Sequence, residues 1–152
     1  MSFAGENHNS IDPKGRLSIP ARFREVLMEC HGDELLVLAK NTEGGLTAYP
    51  PSIWKGIVAK VKSMPNGAAK TATLRLVTSP AQECGFDKQG RVLVPSALRD
   101  YAGLGKNDNP TVVVVGMEEK IEIYNEELYA QVTGNSGDVL RGNPDLIAEL
   151  GL

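Results

Sequence analysis

The sequence predicts an α+β fold in which two pseudo-symmetric units share one core, and three observations carry that expectation. A motif occurs twice, as Asp12-Pro-Lys-Gly-Arg16-Leu-Ser-Ile-Pro20-Ala-Arg-Phe-Arg24-Glu25 and Asp87-Lys-Gln-Gly-Arg91-Val-Leu-Val-Pro95-Ser-Ala-Leu-Arg99-Asp100, 75 positions apart in a chain of 152 residues. The same offset matches Leu46 with Ile121, Ala48 with Ile123 and Tyr49 with Tyr124, so the repeat extends past the motif without insertion. Two copies are too few for a stacked solenoid, which leaves a closed pseudo-two-fold body.

Each motif opens with turn chemistry. Asp12-Pro13-Lys14-Gly15 places Asp at i, Pro at i+1 and Gly at i+3, a type I turn whose glycine takes the left-handed conformation of a bulge. Asp87-Lys88-Gln89-Gly90 repeats the design without proline. In both, the carboxylate can accept hydrogen bonds from its own turn. Alternation then sends Leu17 and Ile19, and Val92 and Val94, to the core, with Arg16 and Ser18, and Arg91 and Leu93, facing out. Pro20 and Pro95 fit the first helical position, opening short helices that run toward His31-Gly32 and Ala102-Gly103.

Leu35 to Leu38 and Val112 to Val115 are apolar runs rich in strand formers, and each precedes a turn and a second run, Leu46 to Tyr49 and Ile121 to Tyr124. Each half therefore closes with a hairpin. Between the halves, Ile53, Trp54, Ile57, Val58 and Val61 recur at helical spacing, Pro65-Asn66-Gly67 breaks the helix, and Ala68 to Thr78 predicts another. From Gly134 the Gly, Asn and Asp content predicts a loop with one helical turn at Asp145 to Leu150. The organisation is unit 1 over 6–52, a helical connection over 53–80, unit 2 over 81–124, and a helix and C-terminal tail over 125–152.

Composition bounds the function. At 41% hydrophobic and 23% charged residues the chain is an ordinary globular sequence. Its longest apolar stretch, Val112 to Met117, is far short of the roughly 20 residues that cross a bilayer, and the N-terminus lacks the basic and apolar regions of a signal peptide. A cytoplasmic protein is expected. Cys30 and Cys84 are isolated thiols, which predicts neither a disulfide framework nor a zinc site but buried small hydrophobes. The net charge of −3 is uneven: residues 1–99 carry 13 Lys/Arg against 9 Asp/Glu, whereas residues 100–152 carry 3 against 10. An acidic molecule can thus present one basic face to an anionic partner.

That face is the doubled motif, with Arg16, Arg22, Arg24, Arg91 and Arg99 and with Lys14 and Lys88. The plainer reading is that each Asp caps its turn and each Arg pairs with a carboxylate or covers apolar surface. Two copies at matched positions, each followed by proline and a further arginine, favour a binding role. No metal-ligand cluster, glycine-rich phosphate loop or nucleophile with a base suggests an enzyme. His8 and His31 read as surface or helix-end residues, Trp54 as core or interface, and Glu118, Glu119, Glu122, Glu126 and Glu127 as a solvated face. No metal and no cofactor are expected.

The residues resemble a known family. Asn9-Ser10-Ile11-Asp12-Pro13-Lys14-Gly15-Arg16-Leu17-Ser18-Ile19-Pro20, Tyr49-Pro50, and Glu83-Cys84-Gly85-Phe86-Asp87 are similar in spacing and order to the MraZ family of bacterial regulators, with two SpoVT-AbrB type units in one chain. The acidic, Gly-rich C-terminal stretch departs from the pattern. The resemblance implies two pseudo-symmetric swapped-hairpin units forming one β-barrel with short flanking helices, and a ring-shaped homo-oligomer. It further implies sequence-specific binding of double-stranded DNA at repeated promoter sites, nucleoid association, and repression of the cell-division and cell-wall gene cluster that includes the protein's own gene. By motif it assigns DNA contact to Asp12, Arg16, Asp87 and Arg91, with neither a membrane nor a small-molecule substrate as partner. The rival class is an antitoxin-like interaction module that binds protein rather than DNA.

Overall fold

The computed structural model describes residues 1–152 as one α+β body. Its first half runs β1 (Phe3–Ser10), β2 (Arg16–Ser18), α1 (Ala21–Val26), β3 (Leu35–Lys40), β4 (Leu46–Tyr49), α2 (Pro51–Lys62) and α3 (Ala68–Thr73). The second half repeats that order as β5 (Gln82–Gly85), β6 (Arg91–Leu93), α4 (Ser96–Ala102), β7 (Thr111–Glu118), β8 (Lys120–Asn125), α5 (Glu126–Arg141) and α6 (Pro144–Leu150). The 75-residue offset carries Pro51 at the start of α2 onto Glu126 at the start of α5, and Ala68 of α3 onto Asn143, the cap of α6. The repeat therefore reaches into the helices that follow each hairpin.

Six strands form an antiparallel sheet in the order β1-β7-β8-β4-β3-β5, and β2 pairs with β6 in a separate antiparallel ribbon. The halves exchange strands: β1 of the first unit pairs with β7 of the second, and β5 of the second pairs with β3 of the first. Leu17 lies opposite Val92 at the centre of the ribbon, and Thr47 opposite Glu122 between β4 and β8. Both pairs join equivalent positions of the two units, so the pseudo-two-fold axis passes between them.

The expected closed barrel is not a continuous ladder. The ladder of the sheet stops at edges β1 and β5, and the ribbon's backbone pairs with those segments only through the single bridges Ile11 to Leu17 and Phe86 to Val92. Each hairpin expected at Asp12 and Asp87 accordingly diverges one pair beyond its turn. The cause is strand length: β2 and β6 are three residues each, and Pro20 and Pro95, which carry no N–H, follow closely.

The core unites both halves. Leu17, Ile19, Val92 and Val94 from the ribbon pack with Phe3, Phe23, Leu36, Leu38, Leu98, Val112, Val114, Ile121 and Ile123, all buried. Removing so much apolar surface from water is the main favourable contribution to folding. Cys84 joins the core, where burial pushes its thiol up to about 11, whereas Cys30 is exposed, contrary to the expectation of two buried thiols.

Helix boundaries differ in three places. Pro20 and Pro95 sit one residue before their helices, with ψ of 137° and 143°, because extended backbone must turn from the strand before helical geometry starts. The expected helix over Ala68 to Thr78 is α3 followed by a π turn from Leu74 to Thr78. The loop expected from Gly134 is instead a helix, since α5 runs unbroken to Arg141. Asn125 caps that helix by accepting from the Leu128 N–H at 2.7 Å, and Glu126 and Glu127 complement the positive end of its dipole. These terms outweigh the low propensities of Gly134 and Gly137. No helix is long and apolar enough to cross a membrane.

Candidate nucleic-acid interface

Each turn of the doubled motif is built by its aspartate. Oδ1 of Asp12 accepts from the Lys14 and Arg16 backbone N–H groups at 3.0 and 2.9 Å, and Oδ2 accepts from Arg16 Nε. Oδ1 of Asp87 accepts from the Gln89 and Arg91 N–H groups, both at 2.9 Å, and Oδ2 accepts from Arg91 Nε at 2.9 Å. Backbone bonds from Gly15 to Asp12 and from Gly90 to Asp87 close the turns at 2.9 and 3.0 Å. The backbone N–H of the following arginine, more than any other group, holds each carboxyl below its usual range, with the arginine side chain adding to it. Each carboxylate thereby shapes the loop and aims the guanidinium.

Gly15 and Gly90 require φ of +90° and +74°, which an L side chain rarely adopts. Each is also covered by an arginine of the other unit. A Cβ at Gly15 would lie 2.6 Å from Arg99 Nη1, and one at Gly90 2.5 Å from Arg24 Cζ. Main-chain bonds follow the same exchange, from the Val94 N–H to the Gly15 carbonyl at 2.8 Å and from the Ile19 N–H to the Gly90 carbonyl at 3.2 Å. The turn of one unit is thus seated on the helix start of the other.

The nine residues singled out in the sequence fall into distinct places. Asp12 and Arg16 form one turn with Arg99 behind it, and Asp87 and Arg91 form the other with Arg24 behind it. Lys14 and Lys88 are exposed at the turn tips. Arg22 stands apart, with its guanidinium against Gly5 of β1 and 5.5 Å from the centre of the Phe23 ring. The histidines are also accounted for structurally. His31 stacks on Phe3 and pairs with Ser52 at 3.2 Å, and His8 lies beside Glu6 and Glu126.

Two cross-unit contacts of this face, Arg91 with Asp12 and each arginine of the helices with the opposite glycine, are not legible in the sequence. The antiparallel ribbon seats the turns at its two ends, across a ladder only three residues long, and brings Arg91 Nη1 within 3.6 Å of Asp12 Oδ2, so one arginine touches both carboxylates. Arg16 touches only its own, and its side chain is 38% exposed against 25% for Arg91. The equivalence of Gly15 with Gly90 and of Arg24 with Arg99 was the available signal for the buttress, but a repeat offset does not say that partners cross between units. The outer face of the two-stranded ribbon carries Arg16, Ser18, Arg91 and Leu93, and a two-stranded β ribbon is an element that a DNA major groove of roughly 12 Å admits.

The MraZ protein model, of antitoxin-like description, matches residues 2–76 and again 77–138. The chain is 42% identical over 151 residues to the transcriptional regulator MraZ of Syntrophotalea carbinolica, covering 99% of both chains. It is 40% identical over 152 residues to that of Pelotomaculum thermopropionicum, covering 99% of this chain and 98% of the relative. Over 126 residues it is 44% identical to that of Desulforamulus reducens, covering 82% of each.

Proposed function

The chain belongs to the MraZ family, and from that premise we propose that it is a sequence-specific, DNA-binding transcriptional regulator rather than an enzyme. The observation that carries the reading is the pairing of two aspartate-shaped turns on one ribbon. Arg16 and Arg91 stand on its outer face: Arg16 is held through Nε and turns its Nη groups to guanine edges, whereas Arg91 also has Nη1 3.6 Å from Asp12 Oδ2 and keeps Nη2 for that contact. Lys14 and Lys88 at the turn tips serve phosphate contact, which positions the protein without reading sequence. Arg24 and Arg99 act from behind by holding the opposite turn, and Arg22 lies at the flank. The two units are swapped-hairpin units of SpoVT-AbrB type, and the target is the promoter of a cell-division and cell-wall gene cluster, repressed together with the protein's own gene. The protein works in the cytoplasm at the nucleoid.

A single acidic subunit with one small basic face binds DNA weakly, and avidity from several copies on repeated sites supplies the missing affinity. The helices support such assembly in a closed ring. Residues 51–77, which hold α2 and α3, carry Lys55, Lys60, Lys62, Lys70 and Arg75 and no acidic residue. At the equivalent place in the second unit, residues 126–152 carry five acidic residues against Arg141 alone. Val58, Leu74, Val139, Leu140, Leu146 and Leu150 are exposed on these arms. Opposite charge at pseudo-equivalent positions favours head-to-tail contact between copies, the arrangement that closes rings.

A footprint of the purified protein on DNA upstream of its own gene tests the reading: protection at spaced repeats, weakened steeply by salt, is expected. Binding that ignores both DNA sequence and salt would point to the interaction-module class instead.

A further inference from the structure

The ribbon presents two cross-strand pairs outward, Arg16 against Leu93 and Ser18 against Arg91, while Leu17 and Val92 between them are fully buried. Three of those four outward side chains are polar or charged. Leu93 is apolar and 58% exposed, and it borders an open groove of about 350 Å³ formed with Gln82, Glu83, Cys84, Gly85 and Pro95. A lone exposed leucine on a protein surface needs no explanation. This one is directly across from Arg16, the more exposed of the two turn arginines, on the outer face of the ribbon that would enter the groove.

In the major groove the thymine 5-methyl is the one apolar group that a base pair displays, and an apolar side chain is its matching reader. A leucine gains nothing against phosphate and cannot satisfy a base acceptor or donor. The offset of 75 residues makes Ser18 the counterpart of Leu93, so the first unit offers a hydroxyl where the second offers a hydrocarbon. Asn9 fixes the Ser18 position by donating from Nδ2 to its carbonyl at 2.7 Å.

We infer that Leu93 is a specificity-determining residue that packs on a thymine methyl beside the base met by Arg16, and that Leu93 and Ser18 make the two halves of the protein read unequal half-sites. This rests on the DNA-binding reading above. The substitution that tests it is Leu93→Ser, which the fold already accepts at the pseudo-equivalent position.

Fluorescence anisotropy would follow binding to the duplex upstream of the protein's own gene, with thymines replaced one at a time by deoxyuridine. The expected result is one position in each site where loss of the methyl weakens the native protein about fourfold, the worth of one methyl group taken from water. Leu93→Ser should bind both duplexes equally and weakly, and Ser18→Leu should gain sensitivity to a second methyl. If the native protein binds its site specifically but no single deoxyuridine matters, or if Leu93→Ser still senses the methyl, Leu93 has no such role and the DNA reading stands. If the native protein does not separate this duplex from a scrambled one, both fall.

Discussion

Arg99, on α4, lies over Gly15 in the turn of the other unit, so close that a Cβ on the glycine would stand 2.6 Å from its Nη1. Arg24 and Gly90 repeat the relationship in reverse. Each turn of the doubled motif therefore depends on an arginine that belongs to the other half of the chain. Substituting Gly15→Ala adds the strain of an L residue at φ of +90° to that collision. A loss of about 1–2 kcal/mol or more in chemical denaturation is expected. Arg99→Ala in the Gly15→Ala background should recover part of it, because the collision is gone while the backbone strain remains. Equal losses in the single and double variants would remove the buttress from the account.

Arg16→Ala should leave folding and assembly intact and weaken specific binding by about 10- to 100-fold, the scale of one bidentate base contact. Arg91 touches both Asp12 and Asp87, so Arg91→Ala should cost binding and also loosen the ribbon. Gel-shift titration beside thermal unfolding separates the two effects. Unchanged affinity for Arg16→Ala would falsify the assignment of the turn to base contact.

The turns also set a pH dependence. Asp12 and Asp87 have folded-state pKa values below the ordinary 3.8, since the ionised forms accept the backbone N–H groups of Arg16 and Arg91. The stabilisation is fully present above about pH 4 and is lost as pH falls through the lowered folded values. The unfolding midpoint should decline on acidification below that point, and Asp12→Asn with Asp87→Asn should flatten the decline. Carboxyl titration by NMR gives the direct check, with both groups protonating later than free aspartate.

Charge reversal tests the assembly. Lys55→Glu, Lys60→Glu and Lys62→Glu together make both helical arms acidic, and Asp138→Lys, Asp145→Lys and Glu149→Lys together make both basic. Each variant alone should remain a small species by light scattering, and an equimolar mixture should assemble. Assembly of either variant on its own would replace the head-to-tail contact with a different one.

The local elements were legible in the residues because their causes are local. Asp12 with Gly15 dictates a turn, alternation sends Leu17 and Val92 inward, and Ile53 to Val61 at helical spacing gives α2. Helix α5 was read as ending early because Gly134 and Gly137 weigh in any propensity count, whereas its Asn125 cap lies nine residues before the first of them. The resemblance implies one β-barrel, and the three-residue lengths of β2 and β6 leave the sheet and the ribbon unclosed. Leu93 was read as outward, but nothing in the sequence set it opposite Arg16.

By itself the sequence determined that this protein is one unit written twice, with a turn shaped by Asp and Gly and an arginine displayed beside it. Those properties follow from neighbours within a few residues and from a fixed offset. Only the tertiary structure decided which unit serves which: β1 completes the second half, Arg99 holds the first turn, and Arg91 spans to Asp12. Strand exchange pairs groups as distant in the chain as Phe3 and Glu118, and hydrogen bonding and packing at such separation leave no local trace in the chain.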